Sequence, residues 1–144
     1  MLKKLNIFSS IAILIAMMIY ASGCDFCDGT SQEPLIEIIY QGGGAISSVY
    51  AVKAGESLPP ITGASGSNFN IPIDVNETSV TYNFETTQGN KSMQIYYDPI
   101  TNLESFECGF RFAIDNLRIG STTFNSASIT GGGDFSVDYQ ITIQ

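Results

Sequence analysis

Apolar and polar residues alternate along most of the chain after residue 34. Residues 35–40 form the first such segment, which ends at glycines, and residues 45–52 form the second. Alternation with a period of two predicts strands that turn one face to a core and the other to solvent. The last segment alternates without error, and its apolar positions are Phe135, Val137, Tyr139, Ile141 and Ile143.

The middle of the chain is rich in turn-forming residues. Pro59-Pro60 and residues 63–68 predict little regular structure. The next segment, residues 69–73, is extended, but Pro72 cannot donate a hydrogen bond to a sheet. We therefore expect this segment at a sheet edge or at a bulge.

Two alternating segments, residues 80–84 and 93–97, flank the turn residues Gln88-Gly89-Asn90. This arrangement predicts an antiparallel hairpin. The pattern also predicts that Asp98-Pro99 ends the second strand of this hairpin.

The densest apolar stretch follows the hairpin and predicts a central core strand, because three aromatic rings share one face of the alternation. Residues 117–119 and 122–124 flank Gly120 and predict a further pair of strands. The inward positions of the predicted core strand are Phe106, Cys108, Phe110, Phe112 and Ile114.

After the N-terminal region, no segment repeats apolar residues at the spacing of a helix. Turn residues recur about every 8 to 12 positions, as they do in sandwiches and barrels built of short strands. The sequence predicts one all-β domain over residues 35–144, an antiparallel β-sandwich or Greek-key barrel of about seven to nine strands.

The N-terminal region has the pattern of a cleaved secretory signal peptide. Lys3 and Lys4 precede an uncharged apolar run, and small residues follow it. The run from Ile7 to Tyr20 covers 14 positions. A membrane-spanning helix, the alternative interpretation, needs about 20. We assign residues 1–23 to the signal peptide and residues 24–34 to a lipidated N-terminus and short tether.

The exit from the apolar run, Ala21-Ser22-Gly23-Cys24, resembles a bacterial lipobox, although many lipoboxes carry leucine where this chain has Ala21. The resemblance implies that Cys24 receives a diacylglycerol thioether and becomes the first residue of the mature chain. Palmitate and other acyl chains on Cys24 would anchor the domain to the membrane, since several chains hold a protein durably where one does not.

The chain has three cysteines, an odd number for an exported protein. Lipidation of Cys24 leaves Cys27 and Cys108 as a pair, and disulfides persist in an oxidising compartment. The alternative, a redox motif formed by Cys24 and Cys27, needs a free Cys24 in a thioredoxin-like setting. A disulfide between Cys27 and Cys108 would hold the core strand close to the bilayer, so we expect a binding surface that faces away from Cys27.

Removal of the signal peptide makes the chain more acidic. Four basic residues then remain against 14 acidic ones, so the net charge changes from −8 to −10. A domain with this charge is unsuited to the phosphate backbone of nucleic acid, which we exclude as a partner. The same charge opposes contact with anionic lipid headgroups.

The chain contains no histidine, which excludes Ser-His-Asp and Cys-His catalysis and removes the commonest metal ligand. Residues 74–77 carry oxygen ligands but lack the glycine and distal glutamate of a calcium loop, so we predict an exposed turn, with no metal and no cofactor. Glu104, Glu107 and Asp115 leave a small carboxylate-based hydrolase as an alternative, although we predict that the protein is not an enzyme.

Tyrosines offer a recognition face of low entropic cost. Tyr96 and Tyr97 are consecutive, so in a strand Tyr96 points outward if Tyr97 shares the face of Ile95. Cross-strand packing is the alternative explanation for outward aromatic residues. The tyrosines in this expectation are Tyr40, Tyr50, Tyr82, Tyr96, Tyr97 and Tyr139.

Several short motifs together resemble an uncharacterised family of small lipoproteins from Bacteroidetes. They are Cys24 with Cys27 close behind it, Pro34 before the first strand, and residues 107–110 (Glu-Cys-Gly-Phe) in the late apolar strand. The resemblance implies an envelope lipoprotein and adds no activity. Asp25 resembles the inner-membrane retention signal of enteric lipoproteins. The sequence does not clearly show the acidic cluster that exports some Bacteroidetes lipoproteins to the cell surface, which favours the periplasmic face.

The sequence thus predicts a non-enzymatic envelope lipoprotein that binds or scaffolds an envelope protein or a glycan. The first alternative is a fimbrial or surface-assembly subunit whose C-terminal strand pairs with a neighbouring chain by β-augmentation. The second alternative is the carboxylate-based hydrolase.

We expect the wild-type protein in bacterial membranes to carry a diacyl or triacyl group on Cys24, because the lipobox cysteine is the acylated residue. Intact-mass analysis of the membrane fraction measures this modification. Cys24→Ala should release or mislocalise the protein, and an unmodified, soluble wild type would contradict the anchor.

Overall fold

Nine β-strands account for most of the residues that the computed structural model describes, which are 34–105, 109–132 and 139–144, with residues 104 and 105 described by their backbone. These residues include no helix, so this part of the chain has no helical segment that could cross a membrane. In chain order the strands are β1 (Leu35–Tyr40), β2 (Ile46–Lys53), β3 (Glu56–Pro60), β4 (Asn68–Pro72), β5 (Ser79–Thr86), β6 (Gly89–Ser105), β7 (Gly109–Thr122), β8 (Ala127–Thr130) and β9 (Tyr139–Ile143).

The strands form two sheets that pack face to face. One sheet has the order β4-β1-β9-β8, and the other has the order β3-β2-β5-β6-β7. Neighbouring strands are antiparallel except β1 and β9, which are parallel. The predicted all-β sandwich is confirmed, and the nine described strands lie within the predicted range.

The core between the sheets consists of the inward residues of the alternating segments. In β1, for example, Ile36 and Ile38 are fully buried while Leu35 is 43% exposed. Full burial of one such side chain contributes about 1.5–3 kcal/mol. Both sheets contribute to the same cluster, which includes Ile36, Ile38, Val49, Ile71, Phe84, Ile95, Ile141 and Ile143.

Three aromatic rings fill the core at the end of the sandwich where β1 finishes. Phe124 makes edge-to-face contacts with Tyr40 and Phe84, with ring centroids 6.1 and 5.2 Å apart. Such pairs contribute about 0.5–1.5 kcal/mol beyond their buried area. Phe124 lies in the connection between β7 and β8, so these ring contacts attach that connection to the core.

The C-terminal strand β9 lies inside the four-stranded sheet, between β1 and β8. The predicted alternation is confirmed for its described residues: Tyr139, Ile141 and Ile143 are buried, and Gln140 and Thr142 are partly exposed. Both edges of β9 are hydrogen-bonded, to β1 at residues 36–40 and to β8 at residues 127–130.

Strand β4 is an edge strand that ends at Pro72, as predicted, and the β5–β6 hairpin is also confirmed. Strand β3, in contrast, occupies a segment for which the sequence predicted little regular structure. All five residues of β3 are exposed, so no burial pattern marks the strand. Pro59 and Pro60 are compatible with it because β3 is at the edge of its sheet.

The prediction that Asp98-Pro99 ends the hairpin strand is wrong, because β6 continues to Ser105. Its partner β5 begins at Ser79, opposite Tyr96, so β6 beyond Tyr97 pairs with β7 alone. A proline is tolerated in a strand with an unpaired edge. Residues 98–105 and 109–115 therefore form a two-stranded extension, which we call the arm.

The prediction of a central core strand is also wrong, because β7 is the edge strand of its sheet. Phe110 belongs to the arm and is 57% exposed, whereas Ile114 reaches the sandwich and is 5% exposed. Residues 117–119 do not begin a new pair of strands but continue β7. Phe106 and Cys108 lie outside the described residues.

Candidate functional site

A groove of about 430 Å³ opens at the end of the sandwich where Pro34 leads into β1. We call this end the entry end. The groove lies between the β2–β3 hairpin and the connection from β4 to β5. Most of its wall is apolar, and the apolar side chains include Ala51, Leu58, Ile61, Pro72, Val80 and Tyr82.

The connection from β4 to β5, residues 73–78, forms one wall because it crosses from one sheet to the other. The Ile73 N–H donates a hydrogen bond to the Pro34 carbonyl at 3.0 Å. The Asp74 carboxylate accepts hydrogen bonds from the backbone N–H and the side-chain amide of Asn76, at 2.9 and 3.0 Å. This local pairing is the turn that aspartate favours, and it fixes the carboxylate at the mouth of the groove.

Two tyrosine hydroxyls of the five-stranded sheet hold the end of β4 and the start of this connection. Tyr82 donates to the Pro72 carbonyl at 2.7 Å, and Tyr97 donates to the Asp74 carbonyl at 2.9 Å. Burial raises the pKa of Tyr97 to about 12, with the negative charges of Asp74 and Glu77 adding to the effect. The rings of both tyrosines are buried, so each hydroxyl has a fixed position under the connection.

Three charged side chains cross the mouth of the groove. Lys53 Nζ lies 3.4 Å from Asp74 Oδ2 and 3.3 Å from Glu77 Oε1. The hydrogen bonds to Glu77 and Asp74 raise the pKa of Lys53. The backbone hydrogen bond from Asn76 lowers the pKa of Asp74, with smaller contributions that include Lys53. Because 41–57% of each side chain is exposed, these ion pairs can open at little cost.

The mouth carries more negative than positive charge. Two carboxylates, those of Asp74 and Glu77, accompany the ammonium group of Lys53 among the residues that line the groove. An electrostatically complementary ligand is positively charged.

The structure places the predicted calcium-like residues 74–77 in this exposed turn. Lys53 already supplies a positive charge to Asp74 and Glu77. Within the described ranges, no three cysteine, aspartate or glutamate side chains are grouped to hold a metal ion.

The carboxylates considered for hydrolysis do not form a described pair. Glu107 and the side chain of Glu104 lie outside the described residues, and Asp115 lies at the base of the arm. Its partner across the strands is Asp98, which the sequence analysis did not consider. Asn116 donates to both carboxylates, through its backbone N–H to Asp115 at 2.7 Å and through its side-chain amide to Asp98 at 2.8 Å.

The expectation of an exposed tyrosine face is wrong for four of its six members. Tyr40, Tyr82, Tyr97 and Tyr139 are buried, and Tyr82 and Tyr97 use their hydroxyls inside the structure. The prediction for the consecutive pair is confirmed, since Tyr97 is 1% exposed and Tyr96 is 40% exposed. The Tyr96 ring lies against Gly120, where a Cβ atom would clash with it.

The three cysteines Cys24, Cys27 and Cys108 lie outside the described residues. The binding surface expected to face away from Cys27 stays a prediction, because Cys27 lies outside the described residues. The groove lies at the entry end, where Pro72 in its wall pairs with Leu35 at the start of β1. This is the end at which the segment carrying Cys24 and Cys27 joins the domain.

Comparisons of the chain with protein-family models, with curated proteins and with solved structures found no match. The groove and its charges are therefore the features that indicate a function. The sequence indicated residues 74–77 as an exposed turn with oxygen ligands, but it could not indicate the groove, because Lys53 and Asp74 are 21 residues apart in the chain.

We expect Tyr97→Phe to lower the free energy of unfolding by about 1 kcal/mol at pH 7, because the hydrogen bond to the Asp74 carbonyl is lost. The folded-state pKa of Tyr97, about 12, lies above its ordinary value of 10. The unfolded chain therefore loses the tyrosine proton first as the pH rises, and the stability from this group declines from pH 10 upward.

Urea unfolding between pH 7 and pH 11.5 measures this effect. The difference between wild type and Tyr97→Phe should narrow above pH 10, since the variant has no proton to lose at this position. Tyr96→Phe, which changes the outward face of the same strand, should remain close to wild type at pH 7. A constant difference between wild type and Tyr97→Phe over the whole range would contradict the role given to the buried hydroxyl.

Proposed function

We propose that this protein is an acyl-anchored envelope lipoprotein whose β-sandwich binds an apolar, positively charged segment of an envelope protein. The signal peptide pattern and the lipobox around Cys24 support the anchor and a site on the bacterial envelope, on its periplasmic face. The groove at the entry end supports the binding role, and it is the observation that carries this proposal.

The size and lining of the groove suit an apolar side chain. Its volume of about 430 Å³ falls within the range of roughly 300–1,000 Å³ for ligand sites. Leu58 in its wall is 43% exposed, so a bound side chain would remove apolar surface from water. This removal is the main favourable contribution to binding in an apolar site.

The charges at the mouth favour a cationic ligand. The net charge of the mature chain is −10, and Asp74 and Glu77 outnumber Lys53 at the groove. A lysine or arginine beside the bound apolar residue would pair with the carboxylates. An anionic ligand would have to compete with them for Lys53.

A protein segment fits this chemistry better than a glycan. The hydroxyl groups of a sugar need hydrogen-bonding partners, and an apolar wall leaves them unpaired at a cost of about 1–3 kcal/mol each. In an extended peptide with alternating apolar and basic residues, the apolar side chains would contact the wall of the groove and the basic side chains would pair with the carboxylates at its mouth.

The assembly alternative has less support in this fold. Both edges of β9 are occupied by β1 and β8, whereas β-augmentation uses a free edge. A neighbouring chain could pair with the C-terminal strand only by displacing one of these partners.

The binding proposal is tested with two probes that share one apolar tail, octylammonium and octanoate. We expect octylammonium to shift the NMR signals of Leu58 and Val80 in the mature protein. Octanoate should bind about tenfold more weakly, which corresponds to about 1.4 kcal/mol, because its carboxylate faces the acidic mouth.

Ala51→Leu should abolish the response to octylammonium, because the larger side chain fills the groove. Ala127→Leu is the matched control, since Ala127 is also a partly buried alanine packed against the core but lies in the other sheet. Equal binding by the two variants, or no shift with octylammonium in the wild type, would exclude the groove as the site.

The proposed lipoprotein also contains a disulfide between Cys27 and Cys108. Cys27 precedes Pro34 by seven residues, a reach of at most about 25 Å. Cys108 directly precedes Gly109, which pairs with Ser105 in the arm. The arm continues eight residues beyond Tyr97, about 26 Å at the rise of a strand. The length of the arm is therefore comparable with the maximum span from Cys27 to Pro34.

Non-reducing peptide mapping should recover a peptide that joins Cys27 to Cys108. Reduction should destabilise the domain by up to about 4 to 5 kcal/mol, because the bond closes a loop of roughly 80 residues in the unfolded chain. Two free thiols in protein isolated from an oxidising envelope would rule out the bond.

A further inference from the structure

Large apolar side chains are exposed mainly at the entry end. Leu35 begins β1 there, and Tyr96 lies opposite the first residue of β5. Leu103 and Phe110 belong to the arm, which leaves the sandwich at the same end. Leu58, the fifth exposed large apolar residue in the described part of the chain, lines the groove.

The most exposed apolar residues form a pair across the arm. Leu103 and Phe110 are directly opposite each other in the β6–β7 register, and they are 43% and 57% exposed. Leu103 is six residues beyond Tyr97, or about 20 Å along the strand. The side chains of Thr101, Asn102 and Arg111 in the same part of the arm are also exposed.

This arrangement leaves apolar surface in water without a described partner in the fold. Ala113 and Ile114 at the base of the arm are buried, so the arm becomes exposed only beyond them. Exposed apolar side chains on such an extension are typical of a site that contacts a membrane or another apolar surface.

We propose that the outer part of the arm, with Leu103 and Phe110 at its centre, inserts into the interfacial region of the bilayer that holds the acyl chains of Cys24. This inference rests on the proposed lipid anchor. Aromatic and aliphatic side chains are favourable at this depth of a membrane.

The length of the N-terminal segment favours a bilayer over a second copy or a soluble partner. Ten residues separate Cys24 from Pro34, so the segment spans at most about 35 Å when fully extended. The entry end is therefore held close to the lipid surface, and the arm of about 26 Å starts from that end. The outer part of the arm can reach the headgroups before the segment is fully extended.

The charges of this part of the chain favour a neutral lipid surface. Arg111 is exposed beside Phe110, and Glu104 and Glu107 precede it within seven positions of the sequence. The net charge of these three residues is −1, so anionic headgroups are not needed for contact and would not strengthen it.

The chain contains no tryptophan, so a single Phe110→Trp substitution creates a unique fluorescent reporter. The full chain, purified from bacterial membranes with its acyl groups, is reconstituted into phosphatidylcholine vesicles with and without brominated acyl chains. We expect a blue-shifted emission and at least about twofold quenching by the brominated lipid, since interfacial tryptophan lies within reach of the acyl chains.

Tyr50→Trp is the control, because Tyr50 lies in β2, away from the arm. Its tryptophan should show little quenching in the same vesicles. Leu103→Trp is a second reporter that should behave as Phe110→Trp does, so the test stands even if one arm variant fails to fold. Vesicles with added phosphatidylglycerol should give no stronger quenching than phosphatidylcholine alone.

Arm tryptophans that stay unquenched in vesicle-bound protein would overturn the insertion and leave the lipid anchor intact. A blue shift without quenching that grows with protein concentration would assign the arm to contact with a second copy instead. Protein that stays in the supernatant with an unmodified Cys24 would overturn the anchor and the insertion together.

Discussion

Burial of the inward residues of β1 and β9 between the two sheets is the interaction on which the rest of the structure depends. Ile36 and Ile38 in β1 and Ile141 and Ile143 in β9 are fully buried, and the two strands are neighbours in the four-stranded sheet. Their position decides at which end the chain enters the sandwich. Because β4 pairs with β1, the position of β1 also determines where the chain crosses to the second sheet. The groove and the arm both lie at that end.

The groove follows from this crossover. A connection between two sheets cannot continue either ladder, so its carbonyl groups need other donors. Tyr97 supplies one from inside the sandwich, to the Asp74 carbonyl, and Tyr82 donates to the Pro72 carbonyl at the end of β4. The side chains of Asp74 and Glu77 face solvent and Lys53. The site thus combines an apolar wall with exposed charged side chains at its mouth.

Sequence patterns predicted the elements whose alternation reflects burial, such as β1, the β5–β6 hairpin and β9. They could not predict β3, because its five exposed residues are held by backbone pairing rather than by an apolar face. They also placed Phe110 in the core. Alternation shows that one face of a strand is apolar, but it does not show whether that face is buried in the core or exposed. The groove was not predictable because its charged residues become neighbours only after β2 and the β4–β5 connection are brought together.

The parallel pairing of β1 with β9 has a consequence for the time at which the chain can fold. Residues 37 and 140 are 103 positions apart, and until the last strand has left the ribosome β1 has β4 as its single sheet partner. Such long-range pairing folds slowly. A chain that lacks β9 cannot complete its core, so the fold forms only after this strand has been synthesised. If the chain is exported as proposed above, this delay would keep it unfolded for passage through a translocation channel.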